Sequence, residues 1–116
     1  MIKLYGLKNC DGCKKALRWC LDQGIEAEIH DMRRDGVSLS QIQSWLKAVG
    51  VDGLINRRGT TWRQLPDDLR AQVEDPKTAA AVVTEHVALI KRPVVVSGEQ
   101  VFVGFSDALK VHLAQS

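Results

Sequence analysis

The stretch Ile2-Lys3-Leu4-Tyr5-Gly6-Leu7-Lys8-Asn9-Cys10-Asp11-Gly12-Cys13 decides how the chain is read. Residues 2–5 alternate apolar and polar side chains and stop at Gly6, the pattern of a short strand with one buried face. Beyond it, Cys13, Ala16, Leu17, Cys20 and Leu21 recur at helical spacing, and Gly24 can supply the left-handed residue that ends a helix. Ile25, Ala27 and Ile29 then alternate again up to His30. Strand, helix and strand in immediate succession imply two parallel strands, because a helical crossover returns the chain in the direction it left.

Outward from this unit the chain turns helical. Asp35-Gly36 marks a turn, Ser38 and Gln41 stand as a capping box, and Leu39, Ile42, Trp45, Leu46 and Val49 form an apolar stripe that Gly50 should end. Residues 56–61 have no period and read as a loop. Pro66 with Asp67 and Asp68, and Asp75-Pro76 ahead of an alanine-rich run, open two further helices whose acidic residues suit the positive end of the helix dipole. Arg92-Pro93 closes the helical stretch. Residues 94–96 and 101–103, either side of Ser97-Gly98-Glu99-Gln100, read as a β-hairpin. Ser106 caps a last helix carrying Ala108, Leu109, His112 and Leu113.

The composition fits one hydrophobic core. A chain of 116 residues, 45% of them hydrophobic, is long enough to fold without disulfide or metal staples, so residues 1–116 are expected to form one domain with a helical insertion at about 38–90. No apolar run approaches the roughly 20 residues needed to cross a bilayer, and the first residues lack a basic segment followed by an apolar one. The expectation is a cytoplasmic monomer with reduced cysteines and no membrane partner. A net charge of +2 without a dense basic face argues against direct nucleic-acid binding.

Chemistry concentrates at Cys10-Asp11-Gly12-Cys13, between the first strand and the first helix. A Cys-x-x-Cys in this position suits a thioredoxin-like redox site. The first cysteine sits where unpaired backbone N–H groups and the helix dipole favour a thiolate, and Lys14 and Lys15 add positive charge. The second stands one helical turn on, placed to resolve a mixed disulfide formed on the first. A pair of merely structural thiols is the alternative, since Cys13 shares the apolar stripe with Leu17 and Cys20; Cys20 itself reads as a core residue. Zinc would need a second paired spacing, which Cys20, His30, His86 and His112 do not supply, so no metal is expected.

Arg92 before Pro93 offers a planar fork of donors to an anionic group, and Arg57 and Arg58 in the basic stretch 56–63 are further candidates. Each has a plainer reading as a solvated surface charge, as do Arg33 and Arg34. Trp19, Trp45, Trp62, His86 and His112 read as packing or interfacial residues.

Taken together, LYGLKNC ahead of Asp11, NRRGTTWR at 56–63, IKRPVVV at 90–96 and VGFSDALKVHL at 103–113 resemble the arsenate reductase (ArsC)/Spx/YffB family along essentially the whole chain, and the YffB branch most. The resemblance implies an α/β, thioredoxin-like fold with a four-stranded mixed sheet and an inserted helical subdomain. It implies a nucleophile at Cys10, an anion-binding Arg92 before a cis Pro93, and a thiol-dependent reductase with no bound cofactor and glutathione as co-substrate. Another small thiol or a protein thiol are the other partners considered. The family's glutathione-coupled arsenate reductases carry three arginines around the nucleophile. Only Arg92 matches without ambiguity, with Asn56 and Gly104 nearest the other two positions, so arsenate reduction ranks lower. Spx-type members imply an alternative, a Cys-x-x-Cys switch controlling binding to the RNA polymerase α subunit.

Overall fold

The alternating residues at the start become strand β1 (Ile2–Gly6), followed by helix α1 (Asp11–Asp22) and strand β2 (Ala27–Asp31). The computed structural model describes residues 2–7 and 10–115. Strands β3 (Val94–Ser97) and β4 (Gln100–Val103) form the hairpin, and helix α6 (Asp107–Gln115) follows it. The four strands make one mixed sheet in the order β2-β1-β3-β4. β1 and β2 run parallel, as the helical crossover requires, whereas β3 is antiparallel to both β1 and β4.

The register explains the core of this part of the chain. Leu4 stands beside Ile29 on one side and Val95 on the other, and Val95 beside Phe102, so one row of apolar side chains crosses all four strands. Ala16 and Cys20 of α1 and Leu109 and Leu113 of α6 pack on that row, with Leu4 and Val95 fully buried. A buried side chain of leucine size contributes about 1.5–3 kcal/mol relative to exposure, so this layer is the main stabilising contact between sheet and helices. Cys20 lies at its centre, as its place on the stripe predicted. On the opposite face the Tyr5 and His30 rings meet, their centroids 4.9 Å apart.

Local signals set the joints. Gly24 adopts φ 72°, and the amides of Gly24 and Ile25 donate to the carbonyls of Leu21 and Cys20 at 3.1 and 2.9 Å, which closes α1 with a Schellman motif. Gly98, at φ 60°, takes the first of the two loop positions of the hairpin. The Leu109 amide donates to Ser106 Oγ at 3.2 Å, the expected cap of α6.

The chain folds as two compact units, one made of the residues up to Asp35 with those from Arg92 onward, the other of Gly36–Lys91. The second unit holds α2 (Leu39–Leu54), α3 (Thr60–Gln64), α4 (Asp67–Glu74), α5 (Ala79–Glu85) and a short 3-10 turn at Val87–Leu89. Its core includes Ile42, Trp45, Leu54, Val73, Val83 and Leu89. The capping box at Ser38 and Gln41 is present, each main-chain amide donating to the other's side chain at 3.1 Å. Two sequence expectations need correction. Gly50, at φ 75° and ψ 170°, breaks α2 as expected, but the chain resumes a helical turn as far as Leu54. The stretch read as a loop through residue 61 already enters α3 at Thr60, a helix too short to show a period. The end of the unit is tied to the segment after α2: the Asn56 amide donates to Leu89 O and the Lys91 amide to Leu54 O, both at 2.8 Å. Among the described residues no helix is long and apolar enough to cross a membrane.

Asp31, the buried acid at the end of β2, accepts the main-chain amides of Arg34 and Arg33, both at 2.9 Å. These bonds, that of Arg34 first, hold its carboxyl below the ordinary value of 3.8. A carboxyl lowered by folding stabilises the fold above its unfolded value, and that stability is lost as pH falls through the lower, folded one. Urea midpoints of the wild type should therefore fall as pH drops below about 4, and Asp31→Asn should be less stable at neutral pH and show a flatter acid limb.

Candidate functional site

Because β1 and β3 are antiparallel neighbours and Tyr5 pairs with Val94, the chain leaving β1 and the chain entering β3 meet at one end of the sheet. The first leads to Cys10 and α1; the second arrives through Arg92 and Pro93, whose peptide bond is cis. Cys10 occupies the N-cap of α1 with extended backbone, its amide donating to Leu7 O at 3.1 Å and its carbonyl accepting from the Lys14 amide at 3.2 Å. Its side chain makes no capping bond, so the half-buried sulfur is not tied to the helix backbone. Gly12 shows what faces it. A methyl placed on that residue would lie 3.9 Å from Cys10 Sγ, 4.0 Å from the Arg92 carbonyl oxygen and 4.0 Å from Pro93 Cδ. The first turn of α1 therefore rests against the Arg92–Pro93 segment with the Cys10 sulfur at the junction.

Cys13 stands one turn along and is only 1% exposed. It packs under the end of β1, where a Cβ on Gly6 would fall 2.2 Å from Cys13 Sγ and 3.1 Å from Cys13 Cβ. Only a residue without a side chain can occupy position 6 while that sulfur is in place. Burial pushes the Cys13 thiol up to about 12, helped by its hydrogen bond with Cys10 and by negative charge at Cys10, while the Leu7 main chain and the Arg92 charge pull the other way. Cys13 is accordingly a thiol at neutral pH. Burial also raises Cys20, and all three cysteines are free.

Arg92 is half-buried, and among the described residues its guanidinium forms no ion pair. Its positive charge acts on the Cys13 thiol, against the effect of burial. Lys14 and Lys15 are exposed along α1.

Arg57 and Arg58 belong to the second unit. The Arg57 guanidinium is already occupied, donating through Nε and Nη2 to the two carboxylate oxygens of Glu74, each at 2.8 Å, and through Nη1 to Asp52 at 2.7 Å, with the Trp62 ring 5.8 Å away. That makes it a structural clamp within its unit. The Arg58 amide donates to Asn56 Oδ1 at 3.1 Å, and the two arginines share with Asp52, Asn56 and Lys91 a polar cleft of about 430 Å³. Among the described residues no three His, Cys, Asp or Glu side chains stand close enough to share a metal ion. The residue the sequence reading passed over is Gly6. It registered only as the end of a strand, and its relation to Cys13 exists only once α1 is folded back on β1.

The chain belongs to the ArsC family, whose model matches residues 5–109. It is 41% identical over 107 residues to an uncharacterized protein of Haemophilus influenzae, covering 92% of this chain and 93% of that one. A solved YffB protein superposes with a TM-score of 0.90 at 33% identity, over 98% of this chain and 100% of that one. An arsenate reductase (ArsC) related protein of Brucella melitensis gives 0.74 at 37% identity, over 96% and 92%. The global transcriptional regulator Spx of Bacillus subtilis is 22% identical over 109 residues, 92% of this chain and 82% of that one. The α/β, thioredoxin-like fold with its four-stranded mixed sheet is thus the one the sequence motifs implied.

The Gly6–Cys13 contact has a measurable energy. Gly6→Ala should lower stability by about 1–3 kcal/mol, the usual cost of overpacking a core. In a Cys13→Ala background the same change should cost clearly less, so the two changes should be less than additive in a double-mutant cycle by urea denaturation.

Proposed function

We propose that the protein is a thiol-dependent reductase in which Cys10 is the nucleophile and glutathione or another small thiol is the reductant. The observation that carries this reading is the half-buried Cys10 sulfur at the N-cap of α1, facing the Arg92–Pro93 segment, with no capping bond of its own. A helix N-terminus favours negative charge, and sulfur chemistry proceeds through the thiolate. Cys10 attacks a disulfide sulfur of the substrate and releases one thiol, and a small thiol then frees Cys10 from the mixed disulfide. Arg92, which has no ion pair among the described residues, binds an anionic group of the substrate or of the reductant. The Glu74 and Asp52 contacts of Arg57 favour assigning it a structural role, and they leave Arg58 as the candidate in that stretch.

A redox-switched regulator that binds the RNA polymerase α subunit is the second reading. It is favoured by two free cysteines on the first turn of α1, Cys10 at the N-cap and Cys13 one turn on, and by relatives named global transcriptional regulator Spx. Pull-down of the α subunit by the reduced and the oxidised chain separates the two; binding in one redox state without thiol turnover would establish the regulator.

Reduction of a mixed disulfide of glutathione and a small thiol, followed by glutathione disulfide release, tests the reductase reading. Cys10→Ser should abolish turnover, and a variant that keeps the wild-type rate overturns the assignment. Arg92→Ala should keep the fold, by circular dichroism, and lose about ten- to a hundredfold in kcat/KM, the weight of one charged hydrogen bond.

A further inference from the structure

Helix α1 presents two flanks to solvent. At about 100° per residue, Asp11, Lys15 and Asp22 share one flank, whereas Lys14, Arg18 and Leu21 line up on the other, a line that runs back to Cys10 at the N-cap. Lys14 and Arg18 are exposed, as is Leu21 at 57%, and half-buried Leu17 beside them packs on the core of the sheet. Among the described residues neither Lys14 nor Arg18 forms an ion pair, although two acids stand on the same helix. In the helical unit, by contrast, Arg57 and Arg70 are each held by a carboxylate. The Cα–Cβ bonds of a helix lean toward its N-terminus, so both cations of α1 lean toward Cys10. The surface leading away from the candidate nucleophile is therefore positive, unneutralised and apolar at its far end.

We propose that the Lys14, Arg18 and Leu21 flank is a docking strip for a protein substrate: an extended segment with acidic residues and an apolar side chain close to the cysteine whose mixed disulfide Cys10 attacks. This rests on the reductase reading of Cys10. Charge complementarity selects the occupant, because two unpaired cations attract carboxylates and repel a basic segment, and Leu21 adds an apolar contact. Reach points the same way. At 1.5 Å per residue, Arg18 and Leu21 lie about 12 and 16 Å along the axis from Cys10, which an extended chain covers in about four and five residues. In the reaction the Cys10 thiolate attacks the small-thiol sulfur of the mixed disulfide, the bond from Cys10 to that sulfur forms as the original S–S bond breaks, and the docked segment leaves as thiolate. A second small-thiol thiolate attacks the same sulfur, the Cys10 thiolate leaves, and the two small thiols are joined as their disulfide.

The test compares three mixed disulfides of glutathione, with glutathione as reductant. One is with 2-mercaptoethanol, one with a peptide carrying glutamate and leucine within about five residues on either side of its single cysteine, and one with a peptide of equal length in which lysine and serine replace them. The wild type should prefer the acidic peptide to the basic one by about tenfold in kcat/KM at low ionic strength, and the preference should shrink in about 0.5 M salt. Arg18→Glu and Leu21→Ser, both at exposed positions and checked by circular dichroism, should lower the ratio of the acidic-peptide rate to the 2-mercaptoethanol rate by about three- to tenfold and about threefold. A wild-type preference that is absent or survives salt, or a ratio that either substitution leaves unmoved, overturns the docking strip and leaves the reductase reading standing. A wild type that sediments as a dimer and a Leu21→Ser chain that sediments as a monomer give this flank to a second copy and overturn the proposal too. A wild type that turns over none of the three disulfides overturns both readings.

Discussion

Strand β1 is hydrogen-bonded on both sides, to a parallel neighbour and to an antiparallel one, and the candidate site depends on that double pairing. The parallel pairing with β2 needs a helical crossover, which sets α1 on the sheet with its N-terminus at the end where β1 finishes. The antiparallel pairing brings the start of β3 to the same end. Cys10 and the Arg92–Pro93 segment, far apart along the chain, are neighbours for that reason alone. The row Ile29, Leu4, Val95 and Phe102 holds the arrangement by burying α1 and α6 against the same face of the sheet.

The two cysteines of the motif experience opposite environments although they lie on one turn of helix. Cys10 is at the cap, where the backbone has not yet become helical and the sulfur is partly accessible. Cys13 has entered the helix and points into the sheet, beneath a glycine whose missing side chain makes the room. Burial acts on a thiol by disfavouring its charged form, so the same functional group is kept protonated at one position and left accessible at the other. The Arg92 charge partly offsets the effect of burial on Cys13.

Elements whose signals are local were legible in the sequence. The capping box at Ser38 and Gln41, the glycine that closes α1, the cap at Ser106 and the hairpin around Gly98 each depend on a few neighbouring residues and on backbone chemistry that the residue types carry with them. Where the signal needed length or distant partners, it failed. Helix α3 spans five residues, too few to show a period, and the helical turn beyond Gly50 follows a break that normally marks an end. Arg57 read as a free cation because Glu74, 17 residues away, gave no sign in the sequence that it would meet it.

By itself the sequence determined the order of strands and helices, the parallel opening unit, the buried role of Cys20 and the position of Cys10 at a helix start, because periodicity, capping and turn chemistry act over a few residues. Only the tertiary structure decided that Cys13 is sealed under Gly6, that the Arg92–Pro93 segment faces the first turn of α1, and that Arg57 is held by Asp52 and Glu74. Burial, hydrogen bonding and charge pairing are relations between residues distant along the chain, and strand pairing and packing must bring those residues together before any such relation exists.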